Sequence, residues 1–216
     1  MVRRSLALGL SCVVLGVPAG LQAQQVCGGV VQAPAEGGFA SYLVSSPSGR
    51  TMTVRFAVVG AETREGTRNI WFETRAQEGT RPVVISQVLV PGFPYDPSAL
   101  ADAALQGPSG VPVQLTAQQL ARSRRALPGL TKAVVDGCRA ATLVGTETVT
   151  VPAGKYSAQH YRNALRGSDI WVSTAVPFGI VKMVDGTDKS RLELTAAGKN
   201  AKSSFLAKPQ SQTPAH

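Results

Sequence analysis

Few side chains in this chain can carry chemistry, and His160 is the first to weigh, because the other histidine, His216, is the terminal residue. Imidazole titrates nearest neutral pH, so a Ser-His-Asp or Cys-His centre would have to be built on His160. Ser157 stands three positions before it on the same candidate strand, and the two-residue alternation of a strand sends the pair to opposite faces. No Gly-x-Ser-x-Gly and no phosphate-cradling glycine loop occurs. Paired carboxylates for glycoside chemistry could come from Glu73, Glu147, Asp169 or Glu193, but no spacing selects two of them. Their default role is charge on the wet face of a sheet. A zinc site needs more Cys and His than the chain offers. The residues therefore point to a protein that is not an enzyme and that uses no cofactor or metal.

Two tryptophans stand at matching points of two β-rich halves, in Asn69-Ile70-Trp71-Phe72 and Asp169-Ile170-Trp171-Val172. They read either as core or interface aromatics or as the lining of an apolar groove. The elements that must position them are short runs rich in Val, Ile, Thr and aromatics, separated by Pro/Gly turns. Candidate strands are Phe39–Ser45, Arg50–Val59, Asn69–Ala76 and Pro82–Val90, the last expected near the sheet centre. In the second, Met52, Val54, Phe56 and Val58 share one face, which is the pattern of a sheet with one wet side. From Pro91 the pattern changes. Ser98 is read as the cap of a short helix over Ala99–Gln106, and Thr116 with Gln119 fits a capping box for a helix to about Ala126. The second half offers strands near Thr146–Val151, Lys155–Ala164, Asp169–Ser173, Phe178–Val184 and Arg191–Thr195. The fold class is mainly β, in the α+β sense, with a short helical insert between two antiparallel halves.

Arg3 and Arg4, the apolar run Leu6–Val17 and the break at Pro18 make residues 1–23 an export signal, with Ala23 as the cleavage residue. A membrane span needs about 18 or more apolar residues, so this run is too short and the mature chain is not expected to be integral to the membrane. The chain has 22 basic and 13 acidic residues, a net +9; losing Arg3 and Arg4 leaves +7. The basic residues are scattered, with only Arg122, Arg124 and Arg125 clustered, and export removes the chain from nucleic acid. Of three cysteines, Cys12 leaves with the signal. Cys27 and Cys138 remain, an even number in an oxidising compartment, and read as one disulfide, the alternative being two buried thiols. Residues 24–38 are Gly/Ala/Pro-rich and read as an extended lead-in, residues 39–206 as one β-rich domain, and residues 207–216 as a polar, disordered tail.

From Gly49 to about Ser203 the chain resembles the outer-membrane lipoprotein-carrier superfamily, the LolA/LolB-like half-barrels, together with related uncharacterised secreted bacterial proteins. The matching residues are Gly49-Arg50-Thr51-Met52, Trp71 with Glu73, Gly145-Thr146-Glu147-Thr148-Val149, Val151-Pro152-Ala153-Gly154, Trp171-Val172-Ser173 and Val176-Pro177-Phe178-Gly179-Ile180-Val181-Lys182. The chain departs from the carriers in having no long amphipathic helix between the signal and the first strand. The resemblance implies a strongly curved antiparallel sheet, an unclosed barrel, whose concave side holds acyl chains in the members of known role. On that expectation Met52, Val54, Phe56, Val58, Trp71, Trp171, Phe178 and Ile180 line a site for a lipid or other apolar small molecule in a periplasmic or secreted protein. The alternative is a module that binds another envelope protein and no small molecule.

Overall fold

The computed structural model describes residues 26–126 and 130–211, so the expected export signal and its cleavage site lie outside the described residues. Eleven strands follow the chain: β1 (Phe39–Ser45), β2 (Thr51–Arg64), β3 (Thr67–Glu78), β4 (Val84–Val90), β5 (Asp102–Gln106), β6 (Pro112–Gln114), β7 (Thr142–Val151), β8 (Gly154–Asn163), β9 (Ser168–Val172), β10 (Ile180–Val184) and β11 (Arg191–Gly198). Two helices, α1 (Ala117–Ala126) and α2 (Leu130–Cys138), connect β6 to β7. The strands form one antiparallel sheet in the order β6-β5-β4-β3-β2-β1-β11-β10-β9-β8-β7, not closed into a barrel. Each half is a meander of neighbours, and the pairing of β1 with β11, first strand with last, joins the halves at the centre. That centre is not β4, which lies third from one edge.

Apolar cross-strand partners explain why these runs pair in this register. Leu194, Tyr42 and Val54 face one another across β11, β1 and β2, and Val58, Phe72, Val88 and Ala103 across β2 to β5. All are buried, and a shift of one residue would turn the whole row to the other face. The β2–β3 hairpin turns on Glu65 and Gly66, with φ of 50° and 75°. Positive φ at both is what a type I′ hairpin needs.

The helix expected over Ala99–Gln106 does not form. A single 3-10 turn spans Pro97–Ala99, and Asp96, not Ser98, caps it, accepting from the Ser98 amide at 2.8 Å. Asp102–Gln106 is strand β5, held by β4 on one side and β6 on the other. The helix preference of Ala and Leu is worth a fraction of a kcal/mol per residue and loses to backbone pairing and burial on an existing sheet edge. The lead-in is not extended throughout either, since Gly29 and Val30 donate to the Val26 and Cys27 carbonyls in successive turns. In the stretch expected to be a disordered tail, Gln210 bridges β6 at Val113.

The capping box is present. The Thr116 amide donates to Gln119 Oε1 at 2.8 Å, and the Gln119 amide donates to Thr116 Oγ1 at 3.3 Å. Thr116→Ala is expected to lower stability by about 1 kcal/mol with no change in the denaturant slope, read by urea unfolding. A loss under about 0.3 kcal/mol would show that α1 is held by its tertiary contacts alone.

Candidate functional site

The expected ligand wall meets itself. Val54, Phe56, Val58, Phe178 and Ile180 are all under 5% exposed, and Met52 is partly buried against the same core. Phe56 and Phe72 from the first half converge with Phe178 from the second, the ring centroids 5.4–5.9 Å apart. Phe93, from the Pro-rich link after β4, stands 5.0 Å edge-on to Phe178 and completes the cluster. Tyr42 closes one end, its hydroxyl donating to the Ile180 carbonyl at 3.2 Å. Burial pushes that phenol well above its ordinary pKa, so it stays a donor. Phe178 is not strand but the turn before β10, with φ of 65°. Gly179 next to it allows the close approach of the lead-in, because a Cβ there would lie 2.3 Å from the Val30 carbonyl oxygen. Sequence reasoning missed Phe93, because Pro91, Gly92 and Pro94 around it marked the segment only as a break in pattern.

The tryptophans leave this wall. Alternation puts Trp71 and Trp171 opposite their buried neighbours Ile70, Phe72, Ile170 and Val172. Each indole N–H donates to a glutamate, Trp71 to Glu62 at 3.1 Å and Trp171 to Glu147. They therefore do not share the face of Phe72 and Val172, although Trp171, partly buried, still packs against the core.

His160, the sole described histidine, lies directly across from Trp171 and stacks on it with centroids 4.4 Å apart and planes 16° from parallel. Its Nε2 is 2.7 Å from Asp169 Oδ1 and its Nδ1 3.4 Å from Glu147 Oε1. Desolvation works to raise the Asp169 pKa, but the bonds from Arg162 and His160 outweigh it and hold the carboxyl below its usual range. On the far side of the indole, Lys182 sits 5.6 Å from the ring and bridges Glu193 at 3.1 Å. So three of the four carboxylates singled out in the sequence join one charged array on β7 to β11. Ser157 is exposed and pairs with Thr148, away from the imidazole. The array orients a ring between acids. Among the described residues, the partners of the imidazole nitrogens are carboxylates.

The fourth carboxylate reverses its expectation. Glu73 is not on a wet face but fully buried. It accepts from Gln87 Nε2 at 2.8 Å, from the Ser204 amide at 2.7 Å and hydroxyl at 2.6 Å, and from Arg55 at 3.4 Å. Ser203 and Ser204 belong to the segment after β11, which crosses the face bearing Ala57, Glu73, Gln87 and Ala104. It ends with Gln210 hydrogen-bonded to Pro112 and Gln114 on β6. Nothing local in the sequence marks Glu73, because its partners on that segment lie 131 positions away.

The two sheet edges differ. β6 has three residues, starts with Pro112 and is covered by Gln210. β7 has ten residues, carries no Lys, Arg or Pro, and pairs only with β8. A bulge at Val144 turns Leu143 and Val144 outward together, 54% and 57% exposed. The far end of β7 is occupied, as Val149 and Val151 are buried and Ala153 donates to the Leu194 carbonyl. Among the described residues, the unpaired edge is thus Thr142–Thr148. Of the clustered basic residues, Arg124 donates to the Leu100 carbonyl at 2.6 and 3.1 Å.

No family model and no curated protein matches the chain. Among the solved structures similar to it are the following two. One, from Bacteroides fragilis, is described as an exported protein with a YmcC-like fold: 11% identity, TM-score 0.37, covering 77% of this chain and 98% of that one. The other, from Parabacteroides distasonis, is described as a lipoprotein: 11% identity, TM-score 0.34, covering 77% and 97%. Neither description names a lipoprotein carrier.

Proposed function

We propose that this chain is an exported, non-catalytic binding module of the cell envelope that adds an extended segment of a partner protein to its sheet along β7. The observation that carries the reading is the free edge Thr142–Thr148 beside a pair of exposed apolar side chains. Sheet edges are ordinarily blunted by Lys, Pro, shortness or cover. The β6 edge has three of these devices, and the open stretch of β7 has only the bulge at its start and one charge, Glu147. A strand docking there gains main-chain hydrogen bonds, and Leu143 and Val144 give it an apolar anchor at one end. The Cys27–Cys138 bridge supports an oxidising compartment. No helix among the described residues is long and apolar enough to cross a membrane. Packing of the expected cavity wall ring against ring favours this reading over an acyl-chain carrier.

The test is photo-crosslinking in cells from a benzoylphenylalanine placed at Val144, with one at the 97% exposed Leu206 as control. A single polypeptide adduct from position 144, absent from 206 and lost with Thr146→Lys on the same edge, is expected. Equal labelling from both positions would sink the proposal, and an adduct of twice the chain mass would replace the partner by a second copy. One lipid retained per chain in native mass spectrometry would return the apolar-ligand reading.

A further inference from the structure

We infer that a recess between α2 and the turn from β8 to β9 is a binding site for a phosphate group. It has a volume of about 210 Å³ and is lined by Lys132, Asp136, Arg166, Ser168, Met183 and Asp185, with Ala133 and Gly137. Three elements build it. Asn163, 3% exposed, donates to the Asp136 and Arg139 carbonyls at 3.1 and 2.6 Å, closing the end of α2. Its Oδ1 accepts from the Arg166 amide at 3.2 Å and so fixes the turn against the helix. The third wall, the loop after β10, is drawn in at Gly186, where a Cβ would lie 1.7 Å from the Arg166 carbonyl oxygen.

The donors in this recess exceed its acceptors. Lys132 and Arg166 reach the same carboxylate oxygen, Asp136 Oδ2, from the helix and from the turn, the arginine at 3.2 Å. Both cations stay about half exposed while Asp136 is 10% exposed, so each keeps N–H groups free of that bond. The bond from Lys132 holds the Asp136 carboxyl below its usual range, against desolvation, and Arg166 and Arg139 add to the effect. The other acid, Asp185, is turned to its own loop, with Oδ1 accepting from the Thr187 and Asp188 amides. Ser168 lines the recess at 6% exposure, and its hydroxyl has no partner among the described residues. A buried hydroxyl without a partner costs stability unless something bonds it. Two cations from different elements and a hydroxyl suit an anion whose oxygens accept from several directions, which describes phosphate better than a planar carboxylate.

The test is titration of inorganic phosphate into the mature protein, followed by amide shifts in NMR. Saturable binding of one phosphate per chain is expected, with shifts confined to Lys132–Gly137, Arg166–Ser168 and Asp185. Arg166→Ala should weaken it at least tenfold and Ser168→Ala several-fold, while Lys155→Ala on the distant, exposed end of β8 leaves it unchanged. Ser168→Ala separates binding from folding, because removing an unpartnered hydroxyl should not lower the melting temperature. Arg166-dependent sedimentation with phosphatidic acid vesicles would assign the group to a lipid headgroup, and its absence alongside phosphate binding to a soluble ester. Shifts that do not saturate, or a loss no larger than with Lys155→Ala, would overturn the site.

Discussion

Replacing Glu73 by Ala is expected to lower the unfolding free energy by about 3–5 kcal/mol and to release the segment after β11 to trypsin at Lys202. The size follows from what is left behind: removing one member of a buried charged network leaves the others desolvated and unpaired. Glu73 is fully buried, and its carboxylate takes donors from β2, β4 and the crossing segment at once. Without it the Ser204 amide and hydroxyl face an apolar strip, and Gln87 keeps only Ser203 Oγ, at 2.6 Å. Arg55 loses less. It is 23% exposed and also rests on the Phe39 ring at 4.7 Å, so it can rehydrate. Glu73→Gln should recover only part of the loss, because its amide nitrogen would turn a donor toward donors. Urea unfolding measures the first effect and timed proteolysis the second. Stability within about 0.5 kcal/mol of the parent, with the segment still resistant, would show that the carboxylate is incidental to holding it.

Loss of the Cys27–Cys138 bridge should be of similar size. The partners lie 111 positions apart with Cα atoms 5.1 Å from each other. Closing a loop of that length removes about 4.7 kcal/mol of unfolded-state entropy in the chain model, which is an upper figure in practice. The bridge ties the turns at Val26–Val30 to the end of α2, and that lead-in packs over Gly179 beside the aromatic cluster. Cys27→Ser with Cys138→Ser should therefore lower the unfolding midpoint and also loosen the Phe178 turn, seen as faster amide exchange there. Alkylation of the unfolded, unreduced chain should label neither cysteine. Two labels per chain would contradict the bridge outright.

The candidate site was legible in pieces. His160, Glu147, Asp169 and Glu193 were each visible as residues with chemistry, but their meeting was not. Two-residue alternation tells which face a side chain takes within one strand. It does not say that β7, β8 and β9 lie side by side, or that an indole stands under the imidazole. The apolar face of β2 was read correctly from Met52, Val54, Phe56 and Val58. That the space before it is filled depended on Phe93, from a loop whose sequence shows only turn residues, and on Phe178, read as strand but found in the turn before β10.

By itself the sequence determined the strand runs other than β5 and β6, the capping box of α1, the two cysteines available to pair and the antiparallel class. All of these rest on interactions within a few residues of chain or on the count of available partners. Tertiary structure alone decided that β1 pairs with β11, that Asp102–Gln106 is strand and not helix, and that Trp171 stacks on His160. It alone buried Glu73 under a segment 131 positions away. Local preferences differ by tenths of a kcal/mol, while burial and backbone pairing across the sheet act on whole rows of residues at once. Where the two disagree, the distant partner wins, and no window of sequence contains it.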